Sequence, residues 1–177
     1  MNESIAERVL NFFSLNGPQR TAAQARGQDV AVTAGAGSGK TRTLVARYTC
    51  LLAEGVEPRR IAAVTFTDKA AMQMRSKVRE SLSELERQAQ DPEERQKWSV
   101  LSAQIDTARI GTIHSLCAEI LRNHPAEAGV DPRFEVLDEG PSAALRQQAA
   151  EDTLNQLVED EKFMPLLANI PLRDLKQ

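Results

Sequence analysis

The chain has 177 residues, 41% of them hydrophobic, and a formal net charge of −3. That length suits one compact domain able to bury about 70% of its unfolded surface, and the charge excludes a protein that holds a polyanion through overall basicity. Two cysteines, with no Cys-x-x-Cys pair and no histidine at ligand spacing, argue against a disulfide framework and a cysteine–histidine metal site, so buried reduced thiols are expected at Cys50 and Cys117.

In chain order, residues 1–13 are charged and amphipathic, and no stretch approaches 18 uninterrupted apolar residues; a cytoplasmic protein with no membrane partner is expected. Residues 29–33, Asp-Val-Ala-Val-Thr, are short and β-branched, as a buried strand requires. The next eight residues are Ala34, Gly35, Ala36, Gly37, Ser38, Gly39, Lys40 and Thr41. They match a phosphate-binding loop, with Ala34 where the general pattern has Gly. The three glycines let the backbone curl until its N–H groups converge on phosphate oxygens at the positive end of a helix. Lys40 supplies a point charge for the β- and γ-phosphates, and the Thr41 hydroxyl suits Mg²⁺.

A helix over residues 41–53 follows, with Leu44, Val45, Tyr48, Leu51 and Leu52 at helical spacing and Gly55 as its stop signal. Residues 60–66 read as a second strand. Residues 69–89 form a helix with Ala71, Met74, Val78, Leu82 and Leu85 on one stripe, broken at Asp91-Pro92 before a further helix to residue 104. A third strand over residues 109–113 leads into a helix over 115–122. This alternation implies an α/β fold with a parallel sheet and helices on its faces. From Pro141 the pattern is only helical, over residues 144–158 and 162–168, and the change near residues 139–141 is the natural boundary.

Each strand end lies where open α/β proteins bind ligands. The second carries Thr65, Phe66, Thr67, Asp68 and Lys69; the third carries Gly111, Thr112, Ile113, His114 and Ser115. An aromatic ring beside hydroxyl and ammonium donors suits a nucleic-acid single strand, whose bases stack while its phosphates accept hydrogen bonds. The plainer alternatives are a core position for Phe66 and a helix-capping one for His114. Charge agrees weakly with a polyanion face in the first half: residues 40–79 hold nine Lys and Arg against three acids, whereas residues 135–161 hold eight acids against Arg146 alone.

Four co-linear segments together resemble the first four motifs of UvrD/Rep-type superfamily 1 DNA helicases: Gln19 within Asn16-Gly17-Pro18-Gln19-Arg20, the loop through Thr41 with Arg42, residues 65–71 with Met74-Arg75, and residues 111–117. Residues 112–117, then His124-Pro125 and Val136-Leu137-Asp138-Glu139, are most similar to the AddA and RecB helicase-nuclease subunits. The resemblance implies a RecA-like P-loop NTPase domain (1A) over residues 1–140 and the start of a helical 1B-like insertion over residues 141–177. It implies ATP and Mg²⁺ as cofactors, single-stranded DNA as partner and an AddB-like nuclease subunit as a further one, with a role in repair or recombination.

By the same resemblance Gln19 reads the adenine edge and Arg42 stacks on its ring, while Thr65, Phe66, Thr67, Lys69, Thr112 and His114 line the DNA track. Asp68 stands where most such helicases have Asn; an acid cannot donate to phosphate, and its role is left open. Asp138-Glu139 reads as structural rather than as the metal-binding acidic pair. That pair and the arginines of a second RecA-like domain are expected further along a longer parent chain, so this sequence reads as an amino-terminal piece that binds ATP without turning it over. The competing readings are a non-catalytic nucleotide-binding or interaction module and an unrelated P-loop ATPase.

Overall fold

The computed structural model describes residues 4–159. The chain forms two compact units, residues 1–124 and residues 125–177. In the first, helices α1 (Ile5–Phe12), α2 (Gly17–Gln24) and α3 (Lys40–Ala53) precede strand β1 (Ala62–Thr65), α4 (Asp68–Gln88), α5 (Pro92–Gln104), strand β2 (Arg109–Thr112) and α6 (Ile113–Asn123). In the second, α7 (Pro125–Ala128) is followed by α8 (Glu139–Glu159). The expected helix over residues 162–168 lies outside the described residues.

Local chemistry sets the element ends. The Ser4 side chain accepts from the Glu7 N–H at the start of α1, and Asp91 does the same for Glu93 at the start of α5, where Pro92 takes the first helical position. After α3 the chain reverses at Gly55, whose φ of 92° is left-handed. The Gly55 and Val56 N–H groups return to the Leu52 and Leu51 carbonyls, both at 3.0 Å, which satisfies two of the last carbonyls of the helix.

The sheet is parallel, as expected, but holds only β1 and β2 among the described residues, with Thr65 paired to Thr112 at its carboxyl end. The expected first strand is corrected here: residues 29–33 are not paired in the sheet, and Val30 and Val32 are 43% and 54% exposed. β-branched composition measures fitness for a pleated, half-buried surface, and that surface exists only where neighbouring strands supply hydrogen bonds. The unit is therefore mostly helical around a small parallel sheet, not a wide sheet layered by helices.

The core lies between helices. Val9 and Leu10 of α1, Val45 and Leu52 of α3, Val78 and Leu82 of α4, and Trp98 of α5 are almost fully buried together with Ile105 and Ile110. The expected stripe on α4 is the buried one; on α3, Leu44 turns out exposed, and Thr43, Ala46 and Thr49 fill the inward face instead. Trp98 is the largest fully buried side chain among the described residues, and emptying such a site costs roughly 3–5 kcal/mol.

Three polar ties hold the helices in place. Arg26, just after α2, makes a two-pronged ion pair with Glu54 at 2.9 and 2.7 Å. The buried Glu94 carboxylate of α5 receives Arg8 of α1 at 2.8 Å and the Trp98 indole N–H at 3.2 Å. Arg75 of α4 donates to the carbonyls of Asp106, Ala108 and Ile110 at 3.2, 3.4 and 2.7 Å, clasping the chain as it enters β2.

Candidate functional site

The glycine-rich loop ends on the first turn of α3, with Gly39 as the residue before the helix. Gly37 and Gly39 have φ of 74° and 82°, a left-handed backbone that other residues adopt only with strain. The loop is tied to itself: the Ser38 hydroxyl and N–H both reach the Gly35 carbonyl, at 2.7 and 3.4 Å. The Lys40 ammonium folds over it and donates to the Ala34 and Gly35 carbonyls at 2.7 and 2.6 Å. Lys40 and Thr41 open the helix at its positive end and are exposed. The loop thus forms a backbone cradle at the start of α3, with the Lys40 ammonium folded over its carbonyls.

The structure brings Gln19 and Arg42 to that cradle. A Cβ added to Gly39 would lie 2.9 Å from the Gln19 side-chain nitrogen and 3.7 Å from Arg42 Nε, so Gln19 of α2 meets the first turn of α3 at this point. Gln19 is placed there by the start of α2: the Asn16 side chain accepts from the Gln19 N–H at 3.0 Å, and the Asn16 N–H donates to Gln19 Oε1 at 3.1 Å. This reciprocal cap fixes the glutamine backbone and one end of its amide.

The second group of expected residues collects at the carboxyl edge of the sheet. Thr65 and Thr112 end the two strands side by side. The Thr65 hydroxyl donates to the Thr67 carbonyl at 3.0 Å and approaches the Gly111 carbonyl at 3.4 Å. Thr67 caps α4 by accepting from the Ala70 N–H, and the buried Thr112 caps α6 by accepting from the Ser115 N–H, each at 3.2 Å. Phe66 is 96% exposed, which removes the core reading of that ring. Lys69 and His114 are exposed in the first turns of α4 and α6. The threonines thus shape the edge, and Phe66, Lys69 and His114 present side chains from it.

Comparison with known proteins decides the family. The model of the UvrD/REP helicase N-terminal domain matches residues 15–175. The chain belongs to this family. Among its relatives, three proteins named as ATP-dependent helicase/nuclease subunits are 41%, 37% and 32% identical to it, from Desulforudis audaxviator, Heliobacterium modesticaldum and Ligilactobacillus salivarius. The alignments cover 77%, 80% and 84% of this chain but 11%, 10% and 12% of those proteins, so it spans about a tenth of their length.

Within this UvrD/REP N-terminal domain, Asp68 has a local explanation: it is the first residue of the 21-residue α4, where a negative charge complements the helix dipole. Asp138 and Glu139 lie at the start of α8 in the second unit, with the Asp138 carbonyl accepting from the Ser142 N–H at 3.0 Å. Cys50 is buried as expected, but Cys117 is exposed, because α6 buries only Ala118 and turns Cys117 outward. Burial pushes the Cys50 thiol up to about 11, with a smaller opposing effect from Arg26. Tyr48 is likewise pushed up by burial, to about 12. Both groups belong to the core rather than to the cradle. Among the described residues no helix is long and apolar enough to cross a membrane.

Sequence reasoning had no signal for two contacts. The bond from Gln19 to the loop spans 19 positions and ends on a backbone carbonyl, which no residue type marks. The Arg8–Glu94 pair joins the first helix to the fifth.

Proposed function

We propose that this chain is the ATP- and single-stranded-DNA-binding part of a DNA helicase that couples ATP hydrolysis to movement along a single strand, in repair or recombination. In this reading residues 1–140 belong to a RecA-like P-loop ATPase domain (1A) and residues 141–177 begin a helical 1B-like insertion. The convergence of Gln19, Arg42 and Lys40 on the loop at Gly39 carries the proposal. The loop N–H groups and Lys40 would hold the triphosphate, Thr41 would meet its Mg²⁺, and Gln19 with Arg42 would select adenine. Bound ATP supplies the free energy of phosphoryl transfer. The protein's own part is to hold the anion on fixed dipoles, and to couple it through α3 to the packed core.

The edge carrying Phe66, Lys69 and His114 would take the DNA, by stacking on the ring and by phosphate contacts from Lys69, with Thr65, Thr67 and Thr112 holding the loops in shape. The relatives' name, which makes each of them one subunit of a helicase/nuclease, supports an assembly with a second, AddB-like protein, and the cytoplasm is the compartment this reading implies. The test is a pair of titrations on the purified chain, one with fluorescent ATP and Mg²⁺ and one with a labelled oligothymidine. Lys40→Ala should abolish the first and spare the second. Unchanged nucleotide affinity in Lys40→Ala overturns the reading.

A further inference from the structure

The Gln19 side chain makes a contact that base recognition does not require. Its Nε2 donates to the Ser38 carbonyl at 2.9 Å, while its Oε1 accepts from the Asn16 N–H at 3.1 Å. Both ends of the amide are therefore engaged by the chain's own backbone, one on the start of α2 and one on the phosphate loop. Ser38 is the residue between Gly37 and Gly39, the two left-handed glycines, so its peptide carbonyl is the hinge point of the curl. Gly39 also leaves the space this needs, since any Cβ there would collide with Gln19 Nε2 at 2.9 Å.

We propose that Gln19 is a positioning residue of the phosphate loop: its amide fastens the Ser38 carbonyl to α2 and so holds the loop N–H groups convergent whatever base the ligand carries. This rests on the nucleotide reading above for the identity of the ligand, but not for the fastening itself. A carbonyl pulled outward toward Gln19 turns its own peptide N–H, that of Gly39, to the opposite side. A bare polyphosphate therefore feels the bond as much as ATP does. Reading adenine alone predicts the reverse, with loss confined to adenine nucleotides.

Inorganic tripolyphosphate, which has no base, separates the two. Gln19→Met is uncharged and of similar length but cannot donate. Asp91→Ala is its control, since it removes the side-chain cap of α5 and no bond to Gln19 or the loop. The expected result is that Gln19→Met weakens tripolyphosphate binding by roughly three- to tenfold, the range for one neutral hydrogen bond, and speeds amide hydrogen exchange over residues 35–41 in the ligand-free protein, whereas Asp91→Ala does neither. Loop exchange identical in the unsubstituted chain and Gln19→Met overturns the proposal. So does tripolyphosphate affinity that is unchanged while ATP affinity falls. If the unsubstituted chain binds neither ATP nor tripolyphosphate, the nucleotide reading fails, and the exchange comparison still decides whether Gln19 fastens the loop.

Discussion

Thr65 and Thr112 are partners on the last rung of the parallel ladder, and a threonine caps the helix that follows each strand, Thr67 for α4 and Thr112 itself for α6. Because parallel strands end on the same side, this register makes Phe66 and Ile113 leave the sheet together. The edge is therefore one surface built from two loops that are distant in sequence.

Phe66 contributes nothing to the core, so its removal separates binding from folding. Phe66→Ala should weaken oligothymidine binding by about 1–3 kcal/mol and leave thermal stability within about 0.5 kcal/mol. Lys69→Ala should instead lower the log–log salt slope of binding by about 0.7. Anisotropy titrations at several salt concentrations, with melting curves alongside, check both; a large loss of stability in Phe66→Ala would return the ring to a packing role.

Gly111 is a glycine for steric reasons. A Cβ there would sit 2.5 Å from Ser115 Oγ, which is itself donating to the Thr112 carbonyl at 2.8 Å. Gly111→Ala should force the serine to rotate and lose that bond, costing about 1 kcal/mol. Adding Ser115→Ala should make the two changes strongly non-additive, because the clash and the bond vanish together. Additive urea midpoints in the four proteins of the cycle count against this account.

The Arg8–Glu94–Trp98 tie should respond unequally to its two ends. Glu94 is the buried partner, with 9% of its side chain exposed, and Arg8 the open one, with 43%. Arg8→Met leaves a buried carboxylate with only the indole N–H for company and should cost about 2 kcal/mol. Glu94→Gln keeps the acceptor for Trp98 and lets Arg8 turn to water, costing about 1 kcal/mol. Equal losses in denaturant unfolding would mean that Glu94 is better solvated than its burial indicates.

Alkaline pH should loosen the unit in a defined window. A thiol raised by burial from its usual value near 9 to about 11 holds its proton more tightly folded than unfolded. Its contribution is intact below pH 9 and is lost as pH rises toward 11, with Tyr48 adding to the loss from 10 toward 12. Cys50→Ala should flatten the first part of that decline in melting temperature. At neutral pH a thiol reagent should modify the exposed Cys117 at once and Cys50 only on unfolding.

Periodicity exposed most of the helices and both paired strands, because α4 and the runs at 60–66 and 109–113 carry their burial pattern in consecutive residues. The segment at 29–33 misled for a physical reason: Val30 and Val32 have strand propensity, but pairing depends on neighbours that composition does not report. The loop glycines, Lys40 and the strand-end residues were legible as motifs. The join between Gln19 and Ser38 was not, since a backbone carbonyl leaves no mark on the residue that bears it.

Arg75 has a consequence for self-association. In an extended chain, carbonyls two residues apart point to the same side, so the guanidinium on Ala108 and Ile110 covers one border of β2. The Ile110 N–H turns back to the Ala108 carbonyl at 2.8 Å, which removes a donor from the same border. An uncovered strand border is a template on which a second chain can add, and here a cation stands in its place. Removing the Arg75 guanidinium should therefore uncover that border and lower solubility at high concentration.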